Sequence, residues 1–249
     1  MTRLSEAILN DTKGLSFAFS DPALVRLVKD KLDFILLDAA TTSFSSETLA
    51  HFIAASGETP FFVRAEDCMP ATLQKYLNAG VDGLVLTGLQ YASEVEKAIA
   101  CCLFPPEGIR PFTRSTMKDI SLQALNDQLT LIVEVAHLQT VAQMGDIADI
   151  AGVDGILIAP IKLAVAMERD GDITHTDVRQ AVSSVVTVAQ SFDLFWGWEG
   201  LLPEDLTPSF HVMASDIDLV QYGLEHLFPE VLGEDVEETE IQKGLRAVR

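Results

Sequence analysis

The sequence predicts an α/β chain folded as one (β/α)8 barrel, and three observations carry that prediction. Short apolar runs alternate with amphipathic stretches about every 20 to 25 residues, the register of parallel βα units. The apolar runs are continuous rather than alternating, as strands buried on both faces require. The chain has 249 residues, the size of a single barrel of roughly 250. The rival, an open doubly wound sheet, lacks its glycine-rich loop after the first strand.

In order, LSFAF (15–19) opens the series and the helical ALVRLVKDKL (23–32) leads to FILLD (34–38). SSETLAHFIAAS (45–56) starts on serines suited to an N-cap, and FFVRA (61–65) follows as the third strand. PATLQKYLNAG (70–80) ends on a helix-stopping glycine before GLVLT (83–87) and YASEVEKAIACC (91–102). A proline-containing excursion with a short helical piece (103–129) precedes LTLIVEVA (129–136) and the helical LQTVAQMGDIADI. GILIAP (155–160), the helix DVRQAVSSVVTVAQSF (177–192), DLFWGW (193–198) and FHVMAS (210–215) complete eight units. These place the barrel in 1–228 and leave 229–249, with its acid-rich GEDVEETE run, as a C-terminal helix or tail.

With 37 acidic and 17 basic side chains the net charge is −20, which excludes nucleic acid and anionic membranes as partners. A hydrophobic share of 48% excludes a disordered chain. No run of 18 apolar residues offers a membrane span. Cys68, Cys101 and Cys102 make no disulfide framework, and free thiols point to the cytoplasm. Walker, GxSxG and HExxH motifs are missing, which removes support for hydrolase and nucleotide-dependent readings.

Barrel chemistry gathers at the C-terminal ends of the strands, and that rule turns strand ends into candidates. Asp38 ends the second strand and Thr41 follows; Arg64 ends the third; Glu134 lies in the fifth; Ala159, Pro160 and Lys162 lie at or just beyond the end of the sixth. A charge inside an apolar strand is costly unless it is paired or functional, so Arg64 and Glu134 stand out. His137, beside the end of the fifth strand, is the one histidine in a site position. Trp196 and Trp198 alternate along the seventh strand and face the same side. If that side is the interior, Trp198 narrows the pocket or stacks on a substrate.

DFILLDAATTS, FFVRAED, AGVDGLVL, FPPEGIRP, LIVEVA and GVDGILIAPIKLAVAM, with His175 and Val178 downstream, resemble in order and spacing the HpcH/HpaI aldolases. These are metal-dependent pyruvate aldolases related to the citrate lyase beta-subunit group. The resemblance runs from about Gly14 to Leu227. It implies a TIM barrel, a homo-oligomer (a hexamer exchanging its last helix), and carbon–carbon bond cleavage or formation beside the carbonyl of a 2-oxo acid. A divalent metal, Mg²⁺ or Mn²⁺, holds the enolate there. Arg64 matches the family's substrate-binding arginine and Arg110 lies in its PPEGIR motif.

The departures concern the site. The family's acidic-Gly-Glu-His stretch reads Asp38-Ala39-Ala40-Thr41, so a threonine stands in the histidine's place. The positions of its glutamine and metal-binding glutamate are Glu134 and Ala136, and its second metal-ligating aspartate is replaced by Lys162. The site is therefore read as metal-free, with Arg64, Lys162, Glu134 and Asp38 as catalytic candidates. Arg64, Arg110, Thr41, Ala159, Pro160 and Trp198 are the substrate-binding candidates. A divalent ion returns only if Asp38, Glu134 or His137 rescue its site. The expected ligand is a small anionic metabolite of the 2-oxo acid class, in a pocket made basic by Arg64, Lys162 and Arg110. The alternative is a catalytically inactive homologue that binds a metabolite or serves as a partner subunit.

Overall fold

The computed structural model describes residues 12–112 and 121–227. Eight parallel strands close in sequence order, β1 pairing with both β2 and β8. They are β1 (Thr12–Phe17), β2 (Phe34–Asp38), β3 (Phe61–Arg64), β4 (Gly83–Leu86), β5 (Thr130–Val135), β6 (Gly155–Ile158), β7 (Phe195–Glu199) and β8 (Phe210–Ser215). The helices are α1 (Ala23–Val28), α2 (Ser46–Ser56), α3 (Pro70–Ala79), α4 (Ala92–Cys102), α5 (Leu122–Gln128), α6 (Leu138–Ala142), α7 (Met144–Ala148), α8 (Pro160–Ala166), α9 (Thr176–Ser191) and α10 (Asp216–Leu227). β1 begins and ends earlier than the LSFAF run, its polar first residues Thr12 and Lys13 standing in register with Phe210 and His211 of β8. The expected helix over 138–150 breaks at Gln143 into α6 and α7. Residues 229–249, the expected tail, lie outside the described residues.

Local chemistry starts and stops the helices. The Ser45 hydroxyl accepts the Thr48 N–H at the head of α2, and Pro70 and Pro160 occupy first-turn positions of α3 and α8, where no N–H is needed. Gly80 ends α3 in the left-handed region at φ 91°, which a side chain would resist.

The strands present two faces. One packs against the helices in a single large core. The other fills the interior with Phe34, Leu36, Phe62, Val85, Ile132, Leu157, Phe210 and Val212. Phe34 meets Phe62 and Phe210 edge to face, with centroids 6.1 and 6.0 Å apart. Neighbouring glycines make room for these rings. A Cβ on Gly83 would come within 2.3 Å of Phe62 and 2.5 Å of the Thr130 carbonyl oxygen. Among the described residues a cavity of about 10 Å³ is lined by those apolar residues, so the interior is a packed plug rather than a pore.

At the N-terminal ends of the strands a clasp repeats. Asp33 donates its N–H to the Lys13 carbonyl, and its carboxylate accepts the Lys13 N–H. Asp82 does the same with Phe61, and Asp154 with Leu131. Each aspartate directly precedes a strand and ties it to the strand before. Ser209 keeps the backbone half, donating to the Trp196 carbonyl. At the other end, Asp216 is buried and accepts the N–H groups of Ala18 and Phe19, joining the start of α10 to the end of β1. α10 otherwise leaves Ile217, Val220, Leu224 and Leu227 exposed, a spacing that puts them on one face. Among the described residues no helix is long and apolar enough to cross a membrane.

Candidate functional site

Side chains two apart on a strand share a face. Asp38 therefore follows Leu36 inward, Arg64 follows Phe62, Glu134 follows Ile132 and Glu199 follows Gly197. The four meet above the apolar plug at the C-terminal ends of β2, β3, β5 and β7. Arg64 is their hub, with its side chain only 2% exposed. Its Nη1 donates to Asp38 Oδ2 at 3.0 Å and its Nη2 to Glu199 Oε1 at 2.6 Å. Nε lies 3.2 Å from Glu134 Oε1, an ion pair without hydrogen-bond alignment. Burial by itself would lower the guanidinium pKa; Glu199, then Glu134 and Asp38, outweigh it and hold the group above its ordinary value.

Lys162 joins from the first turn of α8. Its Nζ donates to Glu134 Oε1 at 2.8 Å, so one carboxylate oxygen serves both cations. The lysine side chain is 46% exposed while Glu134 is 4% exposed. Thr41 works on Asp38: its N–H donates to Oδ1 and its hydroxyl to Oδ2, and the Ala40 N–H adds a third bond. Ala159 and Pro160 lie at the end of β6 and carry Lys162 into position, but both are buried.

The structure thus gathers Asp38, Thr41, Arg64, Glu134, Ala159, Pro160 and Lys162 at one end of the barrel. Two expected members are elsewhere. Trp198 packs outward with Trp196 in the helix-facing core, and its Nε1 donates to the Leu201 carbonyl. The inward positions of β7 belong to Gly197 and Glu199, because a tryptophan beside Phe210 would not fit: a Cβ alone on Gly197 would come within 2.2 Å of that ring. Arg110 lies beyond the C-terminal end of α4, its guanidinium over the Phe104 ring at 4.4 Å. Phe104 is bonded to Asn126, which lies just ahead of β5, so Arg110 serves the opposite end of the barrel.

Glu199 is the site residue that sequence reasoning missed. Its signal is the same as for Arg64 and Asp38, a charge closing an apolar strand, but the run DLFWGW stops one residue short of it. With it present the mouth is not basic. Two cations face three carboxylates.

These residues do not fit a divalent cation. Ala136 offers no donor at one implied ligand position, and at the other Lys162 places an ammonium within hydrogen-bonding distance of Glu134. The remaining carboxylates are directed at Arg64. Among the described residues Asp38, Glu134 and His137 do not form a cluster able to hold a metal.

The chain spans about three fifths of one curated relative that it matches and about half of another. The first is a hydroxypyruvate/pyruvate aldolase from Sagittula stellata, 30% identical over 60% of this chain and 62% of the relative. The second is a 5-keto-4-deoxy-D-glucarate aldolase from Escherichia coli, 30% identical over 52% of this chain and 53% of the relative. Among solved structures, an HpcH/HpaI aldolase/citrate lyase family protein from Burkholderia cenocepacia superposes with a TM-score of 0.85 at 19% identity, covering 94% of this chain and all of that one. A family model, HpcH/HpaI aldolase/citrate lyase, matches residues 36–198, a stretch that runs from β2 to β7 and contains every charged residue of the mouth but Glu199. By that match the chain belongs to the HpcH/HpaI aldolase/citrate lyase family.

Proposed function

We propose that this barrel acts on or binds a small 2-oxo acid or related carboxylate at its mouth without a divalent ion, Lys162 providing the positive charge. The observation that carries this reading is the half-exposed Lys162 ammonium on Glu134, at the position where the resemblance calls for a metal-ligating aspartate. An ammonium can donate to a carboxylate or carbonyl oxygen, although it polarises less than a divalent ion. The relatives named for hydroxypyruvate, pyruvate and a keto-deoxy sugar acid support the keto-acid class. Calorimetric titration of the full chain with pyruvate and with oxaloacetate tests it. Binding is expected to survive EDTA and to weaken about tenfold or more, 1.4 kcal/mol per decade, in Lys162→Ala. Aldol turnover that requires added Mg²⁺ or Mn²⁺ would overturn it.

One observation favours a second reading, that of an inactive homologue. All three nitrogens of Arg64, the residue matching the family's substrate-binding arginine, lie within ion-pair distance of protein carboxylates. On that reading there is no turnover, and the barrel binds a metabolite or serves as a partner subunit.

We extend the proposal to assembly and location. The exposed face of α10 suits a homo-oligomer, a hexamer by resemblance, with 1–228 as the barrel and 229–249 as an appended segment. Three free thiols suit the cytoplasm. Sedimentation of the wild type against Leu224→Lys reads the assembly; an unchanged mass would remove α10 from the interface.

A further inference from the structure

We propose that Lys162 is a covalent site: its amine condenses with the C2 carbonyl of a 2-oxo acid to form an imine, and Glu134 carries the protons. The inference rests on the reading that the mouth takes a 2-oxo acid, and it specifies how.

An imine-forming lysine needs an open approach for the electrophile and a proton carrier within hydrogen-bond reach. Lys162 has both, being 46% exposed with Nζ 2.8 Å from Glu134 Oε1. Lys75, by contrast, pairs on α3 with the exposed Glu66, whereas Glu134 is 4% exposed and belongs to the barrel interior. Glu134 is also held in place. Arg64 sits 3.2 Å from the same oxygen, and Asp38 and Glu199 fix Arg64 in turn. The proton carrier is therefore oriented before any substrate arrives, which is the condition for efficient transfer.

The step balances without any further reagent. Glu134 accepts a proton from the ammonium, and the freed nitrogen pair attacks C2. The carbonyl π pair moves to oxygen, and a proton passes from the attacking nitrogen to that oxygen to give a neutral carbinolamine. Glu134 returns its proton to that hydroxyl, the C2–O bond breaks, and one water leaves as the nitrogen pair forms C=N. Nothing is oxidised or reduced. The imine so formed keeps one proton on nitrogen and can receive the electron pair released when a C3–C4 bond breaks, the 4-hydroxyl proton passing to Glu134 as an aldehyde departs. An organic electron sink thus does the work for which Ala136 and Lys162 leave no metal site.

The test is reductive trapping on the full chain with pyruvate and borohydride, followed by peptide mass spectrometry. The expected result is one adduct, on Lys162, that needs both reagents and is lost in Lys162→Arg. In Glu134→Gln, which keeps the side-chain volume, trapping is expected to slow about 100-fold. Circular dichroism melts of both variants establish that they fold; should Glu134→Gln fail to, Lys162→Arg decides. Calorimetric pyruvate binding with no adduct overturns the imine and leaves the keto-acid reading standing, whereas neither binding nor adduct overturns both. An adduct spread evenly over surface lysines overturns the site, and an unchanged rate in Glu134→Gln overturns the proton carrier.

Discussion

At the N-terminal end of the barrel, the carboxylates of Asp33, Asp82 and Asp154 accept backbone N–H groups of Lys13, Phe61 and Leu131. At the C-terminal end, those of Asp38, Glu134 and Glu199 face the side-chain cations Arg64 and Lys162. Both ends use acids, exposed (Asp33) or half-buried (Asp82, Asp154) at the first and buried or half-buried at the second, but with different consequences. A carboxylate bonded to the main chain is tied to the path of the chain and defines where a strand begins. A carboxylate bonded to a side chain can change partner by a single substitution without moving a strand. The family's fold can therefore persist while the charges of its mouth change.

The largest expected effect tests the mouth as a charge network. Arg64→Met leaves three carboxylates without their shared cation, a loss of about 3–5 kcal/mol at neutral pH. Denaturant melts at pH 7 measure this, and an unchanged midpoint would contradict the network. Next, at the floor of the plug, Gly83→Ala forces a Cβ against Phe62 and the immobile Thr130 carbonyl and is expected to cost about 1–3 kcal/mol at every pH.

A smaller effect of opposite sign comes from a clasp. Burial pushes the Asp154 carboxyl up to about 6, the Leu131 N–H opposing it. The folded state then holds a proton that the unfolded chain has released, so this group makes stability fall as pH rises from about 4 to about 6. Asp154→Asn keeps an oxygen for the Leu131 N–H and is expected to gain about 1–2 kcal/mol above pH 6, discounted for partial exposure. Thermal melts across pH 4–8 check the sign. The smallest change is at the surface: Arg179→Ala removes an ion pair with Asp205 between side chains more than half exposed, worth about 0–1 kcal/mol and screened by salt.

The same contrast explains what the sequence allowed to be read. The strands were legible as apolar runs, continuous where both faces are buried, as in FILLD and GILI, while β8 alternates buried with half-buried residues. Arg64, Asp38 and Glu134 were legible as charges placed where burial is costly. The inner face of β7 was not, since FWGWE offers two large residues and a glycine, and burial alone favours the tryptophans. The glycine faces inward only because Phe210 of the next strand already fills the space, a fact about a neighbour that no single strand reveals. Arg110 was misplaced for a related reason: its motif implied a role, but the turn after α4 sends it to the other end.

The clasps also bear on how the barrel assembles. Each joins residues 20, 21 or 23 apart in sequence, so closing its loop costs little entropy. The bonds from Asp216 that seal β1 to the end of the barrel span 198 and 197 residues. Contacts between near neighbours are expected to form first and ring closure last. Pulse-labelled hydrogen exchange during refolding would then protect the amides of Lys13, Phe61 and Leu131 before those of Ala18 and Phe19. On that schedule the charged groups of the mouth, drawn from β2, β3, β5 and β7, meet only when the ring is nearly complete, so the reactive end of the molecule is the last part to acquire its charge balance.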